Sequence, residues 1–354
     1  MSESSGLELL SVIVPAYNEE EGIREFNQRL VAVLRPLPFF SEIVYVNDRS
    51  KDGTLEILRS LSDEHDNVAV VNLSRNFGKE IALTAGLDHA SGDAVVVIDA
   101  DLQDPPELIP DLVRMFKESD ADVIYAQRVS RKGERAMKRL TAHLFYRVMN
   151  RVLSIEMPID TGDFRLMSRR AVAALLQLRE RHRFMKGLYA WIGFRQIAYR
   201  YERDPRFAGD SKFNYWRLWN FSLEGLTSFT IAPLKIATYI GGFTATCAAL
   251  YGTAMIVGTL IWGNPVPGYP SLLVVTLLLG GLQLMTLGII GEYLGRVFNE
   301  AKQRPLYFVQ EYWPCRDVKS KKTGPAGIVK RSTLPSWERP RNPAIGGERG
   351  AAKN

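Results

Sequence analysis

Apolar runs of strand length recur along the first third of the chain, each followed by a polar turn and a stretch of helical spacing. Residues 9–14 (Leu-Leu-Ser-Val-Ile-Val), 41–46, 68–73 and 95–98 read as buried strands. Between them, Ile23, Phe26, Leu30 and Val33 repeat at helical intervals, as do Leu55, Ile57 and Leu58, and an Ala- and Leu-rich stretch runs to Ala90. A further strand is expected at 122–126. Repeated strand–turn–helix units with polar turns predict an α/β fold with a mostly parallel, doubly wound sheet.

The pattern then changes. Residues 132–151 are basic, with Leu140, Leu144, Phe145, Val148 and Met149 at helical spacing. This suits a helix lying in a membrane interface, and equally an ordinary amphipathic core helix. Residues 214–231 carry Tyr215, Trp216, Trp219 and Phe221, aromatics that favour the headgroup boundary, and read as a second interfacial helix. Residues 236–262 and 271–291 hold no charge at all. Each exceeds the roughly 20 residues a transmembrane helix needs. Lys235 precedes the first, and Arg296, Lys302 and Arg304 follow the second, so the positive-inside rule puts both ends of the hairpin in the cytoplasm. The competing reading is a helical hairpin buried in a soluble protein. Residues 305–310 look like a late strand, pairing with a neighbour, and 315–354 like a disordered basic tail.

The predicted organisation is a cytoplasmic domain over 1–213, an interfacial helix over 214–232, two membrane helices within 233–296, an extension with a strand over 297–314, and the tail. Composition narrows this little further. The 354 residues are 46% hydrophobic with a formal charge of +6. The basic excess lies near the apolar segments, which favours an anionic membrane surface, and no nucleic-acid motif is found. Cys247 and Cys315 suggest neither a disulfide framework nor a zinc site. Residues 1–10 carry two acids and no basic stretch, unlike a secretory signal.

The candidate chemistry sits at the strand ends. Strand 95–98 runs into Asp99-Ala100-Asp101-Leu102-Gln103, two carboxylates at i, i+2. Two acids on one side repel each other unless a cation lies between them. A hard divalent ion such as Mg²⁺ or Mn²⁺ meets that need and bridges to phosphate oxygens. Taken singly, the tripeptide also suits a loop of solvated acids. Asp160-Thr161-Gly162-Asp163-Phe164-Arg165-Leu166 is a second cluster, also readable as a capped turn held by an Asp–Arg pair. A third spans 203–212 and would otherwise be a basic loop. Glycine-rich phosphate loops are absent, so any nucleotide must be held by a metal and basic side chains.

In order and spacing, Pro15-Ala16-Tyr17-Asn18-Glu19, Asn47-Asp48-Arg49-Ser50-x-Asp52-Gly53-Thr54 and Asp99-Ala100-Asp101-Leu102-Gln103 resemble the nucleotide-sugar fold of inverting family 2 glycosyltransferases. Ser74-Arg75-Asn76-Phe77-Gly78-Lys79-Glu80 resembles the subgroup that glycosylates polyprenyl phosphates, which includes bactoprenol glucosyltransferases and dolichol-phosphate mannose synthases. The resemblance covers about residues 10–310. It implies a GT-A-type, Rossmann-like domain. It also implies that Pro15, Tyr17 and Glu19 line the nucleoside pocket, that Asp48 with Val46 beside it reads the base, and that Lys79 contacts the base or diphosphate. Asp99 and Ala100 would hold the donor, Asp101 and Gln103 the Mg²⁺ or Mn²⁺, and Arg128 the donor. Arg206 and Lys212 would clamp pyrophosphate and lipid phosphate. Asp163, beside Arg165, would act as base or orient the acceptor. Since a phosphate acceptor is already ionised near neutral pH, abstracting a proton adds little. Arg49 stands where the family usually has glycine, and Asp210 where it has glutamate.

The resulting expectation is a multi-pass enzyme of the bacterial inner membrane, forming a homo-oligomer, with tetramers plausible in the resembling family. It would move a sugar from a nucleotide diphosphate-sugar, UDP-glucose first, to undecaprenyl or another polyprenyl phosphate with inversion. GDP-mannose and aminoarabinose-type donors stay open. A processive polysaccharide synthase would add several spans and a Gln-x-x-Arg-Trp segment, neither of which is present. A scaffold or flippase partner would need no divalent site.

Overall fold

A computed structural model describes residues 7–128, 161–201, 232–263 and 268–316. The basic segment 132–151, the cluster at 203–212 with Arg206 and Lys212, the aromatic segment 214–231 and most of the tail lie outside the described residues.

The strands are β1 (Leu9–Ala16), β2 (Phe40–Asn47), β3 (Val68–Leu73), β4 (Ala94–Val97), β5 (Val123–Arg128), β6 (Thr161–Ser168), β7 (Gln196–Tyr201) and β8 (Val309–Trp313). The helices are α1 (Ile23–Leu34), α2 (Thr54–Glu64), α3 (Lys79–His89), α4 (Ile109–Glu118), α5 (Arg169–Gln177), α6 (Met185–Trp191), α7 (Ala232–Trp262) and α8 (Tyr269–Ala301). The strands form one sheet in the order β7-β5-β6-β4-β1-β2-β3-β8. Among them β6 and β8 run against the rest. The mostly parallel sheet is therefore as expected, with an antiparallel strand inserted between β4 and β5 where the sequence showed a reactive cluster, readable also as a capped turn.

Burial on both faces explains the unbroken apolar runs. In β1, Leu10, Val12 and Val14 join a core with Ile23, Phe26 and Leu30 of α1 and Leu112 of α4. The intervening Ile13 points the other way, to Leu83 and Leu87 of α3 and Leu188 of α6. β4 divides in the same way, Val96 to the first core and Val95 and Val97 to the second. Helix α3 lies so close to the sheet that a Cβ on Gly86 would stand 2.3 Å from Ile13 Cγ2.

After β3 the chain crosses back to place β4 on the far side of β1. The order therefore reverses around β1, and the crevice at the carboxyl ends of these strands is where open α/β sheets bind ligands. The turns there are strained. Asn18, Arg49 and Leu102 have φ of 56°, 59° and 56°, in the left-handed region. At Arg49 the backbone thus keeps the conformation glycine would supply, with an arginine in its place. Its guanidinium donates to Gln310, fastening the chain beyond α8 to this turn.

Helices α7 and α8 contain stretches long and apolar enough to cross a membrane, at Leu234–Trp262 and Leu278–Ala301, and the most apolar window of each is unburied. Phe243, Leu250, Tyr251, Leu260, Leu284 and Leu294 are among their exposed side chains. A hairpin buried in a soluble protein would cover such residues, whereas lipid solvates them, so the exposed surface suggests membrane association. Beyond α8, β8 starts later than the predicted 305–310 and pairs antiparallel with this chain's own β3. Tyr307 donates to Asp88 at 2.8 Å, and Arg181 pairs with Glu300 at 3.4 Å, which holds the end of α8 to the α/β domain.

Candidate active site

A cavity of about 720 Å³ opens at the reversal point. Its walls come from four strand ends: Pro15, Ala16, Tyr17 and Glu19 after β1; Asp48 after β2; Asn76, Gly78 and Lys79 after β3; and Asp99, Ala100 and Asp101 after β4. Seven of the residues singled out from sequence as donor-binding (Pro15, Tyr17, Glu19, Asp48, Lys79, Asp99 and Ala100), with Asp101, therefore meet in one pocket. Val46 does not line it. It is fully buried among Val44, Val71, Ala82 and Ala85 under the pocket floor. Arg128 ends β5 opposite Tyr201, on the far side of β6.

Asp48 is engaged by backbone. It accepts from the Phe77 N–H at 2.7 Å and the Gly78 N–H at 2.8 Å. Burial pushes its carboxyl up, against the pull of those two amides and of Arg75. The carboxylate thereby shapes the loop before α3, where Gly78 has φ +95°, a conformation that glycine supplies without strain. Each carboxylate oxygen retains a second lone pair for a ligand.

Asp99 and Asp101 lie just past the end of β4 rather than within it. The antiparallel register pairs Val97 with Arg165. Continued by two residues, it sets Asp163 level with Asp99. Asp163, Arg165 and Met167 alternate onto the face of the sheet that carries α3 and α6. The outcome is a single cluster: the Lys79 ammonium lies 2.7 Å from Asp99 Oδ2 and 2.5 Å from Asp163 Oδ2. Asp99 and Asp163, 64 positions apart in the sequence numbering, are thus joined through one lysine. Arg165 is buried, donates to the Gly162 carbonyl at 2.8 Å, and lies 3.5 Å over the Tyr189 ring.

The electrostatics follow from this crowding. Burial raises Asp163, but the Lys79, Lys186 and Arg165 charges outweigh it and hold the carboxyl down to about 2. A carboxylate that acidic is a weak base at neutral pH and suits orientation better than proton abstraction. Burial raises Asp99, with the Asp163 charge adding to it and Lys79 opposing. Burial also works against the Lys79 charge, yet Asp99 and Asp163 prevail and set its pKa well above the usual lysine range. Asp163 Oδ1 is buried with no hydrogen-bond partner among the described residues.

Two participants were missed in the sequence. Glu80 follows Lys79 in the quoted motif but was given no role. Its carboxylate accepts from the Met185 N–H at 3.0 Å. Lys186 stands in a stretch the sequence left unread. Burial and the Asp163 charge push Glu80 up to about 7, against Met185, Lys79 and Lys186. A carboxyl raised on folding leaves the folded state with more bound protons than the unfolded chain between about pH 4.5 and 7. Its contribution to stability is complete below that window and lost as pH rises through it. Glu80→Gln, which keeps an acceptor for Met185, should therefore gain a few degrees of melting temperature relative to wild type on going from pH 5 to pH 8. An identical difference at both pH values would refute this.

Donors for a divalent ion are oxygens only. The Asp101 carboxylate lines the pocket and also accepts from the Gln103 N–H at 3.1 Å. Among the described residues no group of three or more His, Cys, Asp or Glu could enclose a metal. One or two carboxylates suffice for Mg²⁺ or Mn²⁺ when substrate phosphates complete the shell. The orphaned Asp163 Oδ1 and the repulsion of Asp101 on Asp99 fit a cation arriving with the donor.

Residues 11–176 match the family described as Glycosyl transferase family 2. An uncharacterised glycosyltransferase of Synechocystis sp. is 52% identical over 304 residues, 86% of this chain and 95% of that protein. The chain belongs to glycosyl transferase family 2. Within the family it is 48% identical to the bactoprenol glucosyl transferase of Shigella phage SfV over 301 residues, 85% of this chain and 98% of that one. A solved structure of glucosyl-3-phosphoglycerate synthase from Mycobacterium tuberculosis, in complex with Mn²⁺, uridine diphosphate and phosphoglyceric acid, aligns at 19% identity with a TM-score of 0.45, covering 63% of this chain and 78% of that one. This family 2 enzyme is accordingly a glycosyltransferase, and its pocket and acid cluster fall inside or beside the matched segment.

Proposed function

We propose that the enzyme transfers glucose from a nucleotide diphosphate-sugar, UDP-glucose first, to a polyprenyl phosphate of the bactoprenol type, with inversion. The observation that carries this reading is the likeness to the phage bactoprenol glucosyl transferase along nearly the whole of that protein, apolar helices included.

The nucleotide would lie along the β1, β2 and β3 ends, against Pro15, Tyr17, Glu19 and Asp48, with its diphosphate near Asp99 and Ala100, where the divalent ion would meet it. Asp101 and Gln103 would hold the divalent ion, which when bound neutralises charge on the diphosphate. An acceptor phosphate oxygen, already ionised, attacks the anomeric carbon from the face opposite the diphosphate. The new carbon–oxygen bond forms as the bond to the diphosphate oxygen breaks, and the nucleoside diphosphate leaves with the electron pair. No proton need move. Asp163, fixed by Lys79, would orient the sugar and acceptor for in-line approach. Arg128, Arg165, Arg206 and Lys212 would supply further positive charge. Helices α7 and α8 would cross the bacterial inner membrane with both ends cytoplasmic, keeping the pocket near the level of a lipid phosphate head.

The test is transfer of radiolabelled sugar to undecaprenyl phosphate in detergent micelles, across a panel of UDP- and GDP-sugars with and without EDTA. Label entering the organic phase from UDP-glucose, and lost with EDTA, is the expected result. Transfer from GDP-mannose or an aminoarabinose donor would replace the sugar. Nucleotide-sugar binding with no lipid product from any donor would defeat the acceptor assignment.

A further inference from the structure

The charges of three cations act on the Asp163 carboxylate: Lys79, which contacts it, and Arg165 and Lys186. Two of them are committed. Lys79 is shared between Asp99 and Asp163. Arg165 is spent on the Gly162 and Asp163 carbonyls and on the Tyr189 ring. The third, Lys186, is not. Among the described residues it makes no hydrogen bond or close ion pair, though the charges of Asp163, Lys79, Arg165 and Glu80 all act on it.

Its position is fixed by its neighbours. The preceding residue, Met185, has its amide tied to Glu80. Tyr189, three residues on and so on the same face of α6, lies under the Arg165 guanidinium. Lys186 therefore faces the Asp163 end of the cluster. It is not among the residues lining the nucleotide-sized cavity, and neither is Asp163. A lysine ammonium that is half-buried, unpaired and close to a buried carboxylate loses hydration without recovering it from a partner. Burial accordingly lowers its pKa, with Asp163 opposing. An anion placed there would restore the missing interaction.

We propose that Lys186 is a binding residue for the phosphate monoester of the acceptor, on the side of the Lys79–Asp163 pair away from the nucleotide pocket. This rests on the polyprenyl phosphate reading above. It divides the charges of the site by substrate: Lys79 stays locked to carboxylates, the divalent ion accompanies the donor diphosphate, and Lys186 meets the second anion. Without such a cation the acceptor phosphate would approach Asp99 and Asp163 against their repulsion.

The experiment uses the full-length enzyme in detergent with farnesyl phosphate as acceptor, comparing wild type, Lys186→Gln and Lys186→Arg. Two readouts are taken: steady-state kinetics with each substrate varied, and equilibrium binding of farnesyl phosphate and, separately, of UDP. Loss of one charge-assisted hydrogen bond should raise the acceptor KM and Kd of Lys186→Gln about 10- to 100-fold. Donor KM and UDP affinity should not change, and Lys186→Arg should recover most of the loss. UDP binding at wild-type strength certifies that the variant is folded. A Lys186→Gln enzyme with unchanged acceptor KM, or one whose defect lies in donor KM or UDP affinity, would overturn the assignment and leave the transfer reaction standing. Wild type that binds farnesyl phosphate through Lys186 but transfers no sugar to it would keep the phosphate site and sink the transfer reading. Equal competition by inorganic phosphate and farnesyl phosphate would reduce the site to one for free phosphate and refute the acceptor role.

Discussion

Asp163→Asn should lower kcat/KM for sugar transfer about 10²- to 10³-fold while leaving nucleotide binding nearly intact. The expected size follows from what removing one preorganised electrostatic group costs in other active sites. Asparagine preserves the shape and one acceptor oxygen but removes the charge that Lys79 grips at 2.5 Å. Because Asp163 does not line the nucleotide cavity, UDP affinity should stay within a few-fold of wild type. The same substitution has a signature in stability. The Asp163 carboxyl is held down to about 2 from an ordinary 3.8, and the side chain is only 8% exposed. A depression of that size in a buried group is worth roughly 2 kcal/mol. For a lowered carboxyl the stabilisation is present above pH 4 and lost as pH falls toward 2. Wild type should therefore lose stability relative to Asp163→Asn across that acid window, measured by denaturant unfolding at pH 6, 4 and 3. A variant with full activity, or one that loses UDP binding in step with activity, would contradict the orienting role proposed for Asp163.

How far the chain could be read beforehand depended on whether each feature was local. From β1 to α4 the strands are buried on both faces and continuous in sequence, so Val12, Ile13 and Val14 announce a strand whichever core each one enters. Asp99 and Asp101 follow such a strand directly, and their chemistry is carried by spacing alone. β6 was legible only as a cluster of reactive residues. Thr161 to Ser168 mixes Gly162, Asp163 and Arg165 with apolar residues, and nothing in that string reveals that the strand inserts antiparallel between β4 and β5. That insertion is what sets Asp163 level with Asp99, so the central contact of the site is a fact of topology. Helices α5 and α6 and strand β7 went unread, and with them Lys186, whose relation to Glu80 spans more than a hundred residues of sequence. Glu80 could have been noticed beside Lys79 in its motif, but its raised pKa arises from burial and Asp163, neither visible locally. The turn at Arg49 shows the opposite case, where an arginine adopts the left-handed conformation that glycine favours.

Lys79→Met should be about as damaging to transfer as Asp163→Asn, and combining the two should cost little more than either one. Without the ammonium, Asp99 and Asp163 face each other across the space it filled, both largely buried, with side chains 24% and 8% exposed. Two such carboxylates cannot both remain charged cheaply, so one takes up a proton near neutral pH or the pair separates. Either response misplaces Asp163, and the expected loss in kcat/KM at pH 7.5 is again about 10²- to 10³-fold. Because Lys79 acts on the reaction through Asp163, the double variant removes one unit rather than two, which is the non-additivity expected of residues that function together. The effect on folding should be smaller than the buried acids suggest. The Lys79 side chain is 45% exposed, and water can reach the gap it leaves, so solvent screening limits the penalty to about 1 kcal/mol. UDP affinity separates this account from the alternative in which Lys79 serves the diphosphate directly. If the ammonium is locked between Asp99 and Asp163, UDP affinity in Lys79→Met should fall no more than a few-fold. Multiplying losses in the double variant, together with UDP binding weakened a hundredfold by Lys79→Met alone, would show that Lys79 acts on the donor independently of Asp163.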